Sequence, residues 1–267
     1  MRALAWAAGL AALLWLGGCA TRVPLPAGNE PAGADPVTAA QATDAWARVL
    51  SRFVNPQGEV DFVALAQDRA DLDSMLRQVA ATAHDSRVGW SAQMAWLINA
   101  YNALSMFNVI ASGVPDSHAG LNKLRFFVGR QFNIGGRWQS LYSFENDVIR
   151  PLGRQQGDPR LHFALNCSAV SCPVLPRQPF TPEGLDAELA RETRAFFARP
   201  GNFRIDADSR TVWLNQILDF YTEDFVPVPA RSLIEYANRF APVAAPLDFA
   251  VRFTPYDWTV ANSRRAR

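Results

Sequence analysis

The sequence predicts an α+β fold: a mostly helical single domain with a buried central helix and one or two β-hairpins that form a small antiparallel sheet. Residues 90–110 are apolar almost all round, which is typical of a helix at the centre of a fold. The stretches 124–142 and 203–214 are rich in aromatic and β-branched residues around turn signals. Helical and extended patterns do not alternate regularly, which argues against a βαβ architecture.

The remaining helices are predicted from apolar residues at helical spacing and from capping residues. The turn sequence Asn55-Pro56-Gln57-Gly58 separates the first two, and Gly113 with Pro115 ends the central helix. Ser143 is a candidate N-cap, and Thr181-Pro182-Glu183 is a typical helix start. The predicted ranges are 39–53, 62–82, 143–150, 181–198, 216–223 and 232–239.

The strands are predicted from their turns. Gly135-Gly136 accepts the positive φ angles of a tight hairpin turn, so 124–142 is predicted to be a β-hairpin. The second hairpin, 203–214, turns at Asp208-Ser209. A last strand is predicted at 249–254.

The first residues resemble a bacterial lipoprotein export signal. The apolar run 3–16 lies behind Arg2 and is too short to span a hydrocarbon core of about 30 Å. Leu16-Gly17-Gly18-Cys19 then places a cysteine at the cleavage point. We therefore expect 1–18 to be a signal peptide, Cys19 to be lipidated and the lipid bilayer to be a partner. Ala20 follows Cys19 at the position where a retention aspartate would stand. Its presence there favours a location on the periplasmic face of the outer membrane.

Composition sets the domain boundaries and excludes some partners. Residues 20–36 are rich in Pro, Gly and Ala, so 19–38 is predicted to be a lipidated flexible tether. A single globular domain is predicted at 39–260 and a basic tail at 261–267. Lys and Arg total 26 against 25 Asp and Glu, which argues against a nucleic-acid partner.

Two asparagines in the central helix are candidate ligand-binding residues. Asn99 and Asn102 stand three apart and share one face of an apolar helix. A buried amide left unpaired costs about 1 to 3 kcal/mol, so each amide is expected to have a partner. That partner is either a neighbouring loop, which the amide anchors, or a bound ligand.

The densest group of reactive side chains lies at 158–173, which contains His162, Cys167, Cys172 and the candidate ligand-binding residue Arg160. A tight turn through 168–171 would bring the two cysteines within the roughly 4.4 to 6.8 Å between Cα atoms that a disulfide requires. Alternatively, His162 activates one cysteine as a nucleophile, with Glu145, Asp158, Asn99 or Asn102 as the orienting group. The candidate catalytic residues are therefore His162, Cys167, Cys172 and Glu145.

Other chemistries fit less well. The Cys-x4-Cys spacing differs from that of redox thiols, and two cysteines with one histidine would supply only three zinc ligands. No metal or cofactor is therefore predicted. His84 and His118 stand alone and are expected on the surface. Two late stretches, 219–225 and 256–258, mix acids with aromatics and either line a cleft or complete the core.

These motifs resemble the domain-of-unknown-function 547 family. The resemblance covers most of the chain after the signal segment. It rests on 55–65, 96–104, 143–150 and 158–175, and the most specific part is Asp158-Pro159-Arg160 with His162 to Cys167 and Ser171-Cys172-Pro173. It implies an established domain without a stated activity, whose matching positions here are His162, Cys167, Cys172, Glu145, Asn99 and Asn102. Asn146-Asp147 departs from the family pattern.

Two hypotheses of function follow. The first is a non-enzymatic envelope domain that binds an envelope protein or a small ligand, with Cys167 and Cys172 bridged. The second is a thiol-dependent hydrolase or acyltransferase, which requires His162 within roughly 4 Å of a cysteine sulfur in an accessible cleft.

Overall fold

The computed structural model describes residues 20–26, 38–83 and 88–264. The predicted signal peptide, Cys19, His84 and the last three residues of the basic tail lie outside these ranges, as do 27–37 of the predicted tether. Within the described ranges, no helix combines the length and the apolar character needed to cross a membrane.

An amphipathic helical layer begins the domain. It contains α1 (Ala39–Phe53), α2 (Phe62–Gln67) and α3 (Ala70–Ala81). Thr38 caps α1 in a capping box with Gln41. The single helix predicted at 62–82 is instead two helices, because Asp68 leaves the helical conformation and ends α2.

The central helix α4 (Trp90–Ala111) is buried along most of its length, as predicted from its apolar sequence. It contacts α3, α8 (Leu185–Phe197) and the segment Phe144–Ile149. A helix covered on all sides has no solvent-facing side for polar residues, so each polar group on α4 must find its partner inside the protein.

The first sheet follows a short helical segment. This segment consists of α5 (Leu121–Leu124) and the π-helical turn Arg125–Gly129, so the part of the predicted hairpin at 124–129 is wrong. The carbonyl of Phe126 accepts a hydrogen bond from the Asn108 side chain, 2.9 Å away, and not from a neighbouring strand. The hairpin itself is confirmed as β2 (Arg130–Ile134) and β3 (Arg137–Gln139), with positive φ at Gly135 and Gly136.

The sheet has a third strand, β1 (Thr21–Arg22), which lies in the segment predicted to be a tether. Thr21 pairs with Arg130 in the parallel direction, and Val23 N–H donates to the carbonyl of Gln131. Arg22 also stacks over the ring of Trp138. The residues at 21–23 are therefore attached to the domain.

A helical run links the two halves of the domain. It contains α6 (Leu141–Ser143), the π-helix Phe144–Ile149 and α7 (Arg150–Gln156). The predicted N-cap at Ser143 is wrong, because Ser140 caps the run and forms a capping box with the Ser143 hydroxyl. The π-helix places Glu145 in the interior.

The second sheet contains β4 (Phe203–Asp206), β5 (Thr211–Asn215) and β6 (Ala250–Thr254). The hairpin β4–β5 is confirmed, and β6 pairs with β5 in the parallel direction. The α+β class is thus confirmed, but both sheets are mixed and neither is purely antiparallel. In each sheet the third strand comes from a distant part of the chain, which local patterns do not reveal. The connecting helices are α9 (Ile217–Phe220), α10 (Thr222–Phe225) and α11 (Leu233–Asn238).

Two hydrophobic clusters fill the interior. The larger surrounds α4, and the smaller is an aromatic cluster between α8, the second sheet and α11. Tyr256 packs against both clusters. The segment Pro159–Phe163, a 3₁₀ turn, runs between them and carries His162 into the interior.

Candidate functional site

A disulfide joins Cys167 and Cys172, as the sequence predicted for a tight turn. The Cα atoms of the two cysteines lie 6.2 Å apart. Ser168 has a φ of +61°, and Cys172 N–H donates to the carbonyl of Ala169. These local bends bring two residues five positions apart to bonding distance.

Two asparagine side chains hold this loop in place. Asn166 accepts from Ser168 N–H at 2.7 Å and donates to the carbonyl of Pro173 at 2.7 Å, which closes the loop on itself. Asn102 donates to the carbonyl of Ala164 at 2.9 Å and accepts from Asn166 N–H at 2.8 Å. The central helix thus anchors the chain just before the disulfide.

The other sequence-predicted ligand residues also have protein partners. Asn99 exchanges two hydrogen bonds with the backbone of Phe180, one donated and one accepted. Arg160 pairs with Asp158 and Asp186. Among these candidates, Asn99 is the one that lines a large cavity.

His162 is oriented by a carboxylate that the sequence did not single out. Its Nε2 lies 2.7 Å from Oδ2 of Asp224, and both side chains are buried. Burial lowers the pKa of His162, so the ring is neutral and donates to the Asp224 carboxylate. Burial raises the pKa of Asp224, but hydrogen bonds from His162, Arg150 and Arg154 outweigh it and the net shift is downward.

Glu145 lies beside this pair and is held by two tyrosines. Tyr101 donates to Oε2 of Glu145 at 2.9 Å, and Tyr221 donates to Oε1 at 2.5 Å. The ring of Tyr221 also stacks on His162, with 4.1 Å between centroids. Burial and the nearby Glu145 carboxylate raise the pKa of both tyrosines, so each keeps its proton and remains a donor.

The structure brings all four predicted catalytic residues to the walls of one small cavity of about 50 Å³. Tyr256 covers the disulfide, because its hydroxyl donates to Sγ of Cys172 at 3.1 Å. No hydrogen bond joins His162 to either sulfur, although all three residues are described. In this state the sulfurs are bonded to each other, so the site holds no thiolate.

Sequence reasoning missed the partners of these groups: Asp224, Tyr101, Tyr221 and Tyr256. Three of them lie in the late stretches that mix acids with aromatics, whose two possible roles stayed open. The signal was therefore present, but nothing in the local pattern of 219–225 or 256–258 points to His162 or Glu145.

His118 is buried, so the expectation of a surface position is wrong. Its ring packs against Phe126 with 4.0 Å between centroids. It interacts with the backbone of Cys167, and its Nε2 has no hydrogen-bond partner. His118 therefore contacts the disulfide loop through the backbone of Cys167.

The anchoring role of Asn102 predicts a large loss of stability on substitution. Asn102→Leu leaves the Asn166 N–H and the Ala164 carbonyl buried without partners, so we expect it to lower the free energy of unfolding by about 2 to 4 kcal/mol. Asn122→Leu is the control, because Asn122 is exposed and we expect a change below about 0.5 kcal/mol. Urea denaturation measures both, and equal losses would contradict the anchoring role.

The burial of His118 predicts that part of the free energy of unfolding depends on pH. Burial lowers the pKa of His118 from 6.5 to about 4. Between these values the unfolded chain binds more protons than the folded one, so the free energy of unfolding falls as the pH falls. Between about pH 7 and 4.5, we expect the free energy of unfolding of the wild type to fall by about 2 to 3 kcal/mol more than that of His118→Phe. Urea denaturation at each pH measures both. Parallel pH profiles would contradict this.

Comparison with protein-family models gives a match to part of the chain. Residues 86–197 match the family model described as "Protein of unknown function, DUF547". No curated protein matches the chain, and no solved structure does. The matched segment contains α4, Glu145, His162 and the disulfide but ends before Asp224, so it is shorter than the resemblance suggested. Residues 86–197 therefore match DUF547, the family that the motifs predicted.

Proposed function

We propose that this protein is a bacterial envelope lipoprotein, anchored through an acylated Cys19, whose domain binds a small ligand without catalysing a reaction. The observation that carries the proposal is the disulfide between Cys167 and Cys172. Disulfides persist in oxidising compartments such as the periplasm and are rare in the cytosol. The proposed location on the periplasmic face of the outer membrane agrees with this chemistry.

The site residues support a structural role for the cysteines. His162 is hydrogen-bonded to Asp224, and the sulfur of Cys172 accepts from Tyr256 and from Cys167 N–H. A thiol enzyme needs a free sulfur within reach of its base. With both sulfurs in the bridge, the disulfide acts as a staple on the loop that Asn102 anchors.

The ligand site that we propose is the cavity beside Asn99. It has a volume of about 660 Å³, which is within the range of small-molecule sites. Its described walls come from the start of α1, residues 82–83 and 88, the first turns of α4 and residues 180–183. Ala92 and Leu97 belong to the mainly apolar walls, whereas Thr43, Asp44 and Glu183 supply a hydroxyl group and two carboxylates. Its ligand is therefore a mainly apolar molecule with a polar end.

A fluorescence experiment tests this proposal. The dye N-phenyl-1-naphthylamine becomes fluorescent in apolar cavities, so its fluorescence reports binding. Because the cavity walls are mainly apolar, we expect the dye to bind the purified protein with micromolar affinity. Ala92→Phe fills the cavity and should weaken binding by about tenfold or more. Ala190→Phe, a half-buried alanine on α8, is the matched control and should bind as wild type does. Absence of binding, or equal weakening by both variants, would sink the ligand proposal.

One observation favours a second candidate, a thiol-dependent hydrolase or acyltransferase. Glu145, His162 and both cysteines line the same cavity of about 50 Å³. This function requires that the disulfide be reduced in the active protein. Mass spectrometry after alkylation of the protein from unreduced envelope extracts separates the two: a bridged pair supports the binding domain, and a rapidly alkylated cysteine supports the enzyme.

A further inference from the structure

The position of β1 brings the proposed lipid anchor close to one face of the domain. Thr21 is paired with Arg130, and neighbouring strands lie about 4.8 Å apart. Cys19 precedes Thr21 by two residues, which span at most about 7 Å. If Cys19 carries the anchor, as proposed above, this face lies against the bilayer and no long tether separates them.

The segment that precedes Arg130 exposes apolar side chains on this face. Leu121, Leu124 and Val128 are 70%, 57% and 49% exposed, among the most exposed large apolar residues of the described chain. Their spacing of three and then four residues places them on one side of the helical segment 121–129. The opposite side carries the buried Phe126. Such a stripe is typical of a helix that lies in a membrane interface.

A polar cavity opens beside this stripe. It has a volume of about 90 Å³, and its lining contains no carboxylate. Arg125 and Arg130 both line it, and neither forms an ion pair with any residue in the described ranges. Burial lowers the pKa of Arg130, and the nearby charge of Arg125 lowers it further, so two cations stand close together without a counter-charge.

The floor of this cavity contains an unsatisfied polar atom. His118 lines the cavity, is 1% exposed, and its Nε2 has no partner. The ring interacts with the backbone of Cys167 through its other nitrogen, so the neutral ring presents a lone pair at Nε2. Ser112 and Asn122 add further polar groups, and Arg130 donates to the Ser112 hydroxyl at 2.7 Å. The site therefore suits an anion that also carries a hydrogen-bond donor.

We infer that the face formed by 121–130 rests on the membrane and that the Arg125–Arg130 cavity binds the phosphate of an anionic phospholipid headgroup. The two arginines neutralise the phosphate, and a headgroup hydroxyl donates to His118. Leu121, Leu124 and Val128 enter the interface between headgroups and acyl chains. Lys123 is not part of this site, because it lies over the rings of Trp258 and Phe220.

Vesicle binding by the protein without its acyl group tests this inference. The chain from residue 19 onward with Cys19→Ser, which retains every described residue, is sedimented with vesicles of phosphatidylglycerol or of phosphatidylcholine. We expect binding to phosphatidylglycerol and at least about tenfold weaker binding to phosphatidylcholine, whose net charge is zero and whose headgroup has no donor. Free glycerol phosphate and inorganic phosphate are added as competitors.

Two pairs of substitutions locate the contact. Leu121→Ser with Leu124→Ser, and separately Arg125→Gln with Arg130→Gln, should each weaken binding to phosphatidylglycerol by about tenfold or more. Val243→Ser with Leu247→Ser is the matched control, because both residues are 63% exposed and lie elsewhere, and Arg252→Gln controls for loss of charge. Circular dichroism checks that each variant is folded.

The outcomes separate this inference from the proposed function. Loss of vesicle binding in both test pairs but in neither control supports the membrane face. The inference is overturned if the protein with no surface substitution does not bind the vesicles, or if the control variants lose as much binding as the test variants. It is also overturned if the protein binds inorganic phosphate but no vesicle. Acylation of Cys19 is measured independently by mass spectrometry of the protein from membranes. An unacylated Cys19 would refute the anchor, whatever the vesicle result.

Discussion

Hydrogen bonds from the buried asparagines of α4 to the backbone of distant loops organise this domain. Asn99, Asn102 and Asn108 donate to Phe180, Ala164 and Phe126, which follow α4 in three separate segments. Because all three asparagines are buried, each amide depends on its loop partner. The same bonds that satisfy the helix therefore set where the disulfide loop, the wall of the large cavity and the segment 121–129 lie.

The polar site depends in turn on elements that come late in the chain. Asp224 orients His162, and Tyr221 bridges His162 and Glu145 by stacking on one and donating to the other. Arg150 also contacts Asp224 and lies over the ring of Tyr221, so the buried negative charges have cationic and hydroxyl partners. Burial keeps the pKa of His162 below its ordinary value, although Asp224 and Glu145 favour the charged ring. Glu145 stays hydrogen-bonded, and Tyr256 covers the disulfide. These groups are all hydrogen-bonded or ion-paired within the protein, which suits a structural centre.

The proposed anchor and the proposed sites form a consistent arrangement. Strand β1 attaches the chain at Thr21 directly to the first sheet, next to the segment of the proposed membrane face. His118 connects this face to the interior, since its ring lies between the phosphate cavity and the backbone of Cys167. The membrane face and the disulfide loop thus share one buried side chain.

The sequence by itself determined the α+β class, the buried helix α4 and both hairpins, because each depends on spacing or turn chemistry within a few residues. It offered the disulfide as one of two possible states of Cys167 and Cys172, and the structure contains the bridge. It also identified His162, Glu145 and the two cysteines as one group. Only the tertiary structure decided that His162 pairs with Asp224, that His118 is buried and that β1 and β6 join their sheets in parallel. These contacts link residues far apart in the chain, and their partners are selected by packing around α4, which no local pattern encodes.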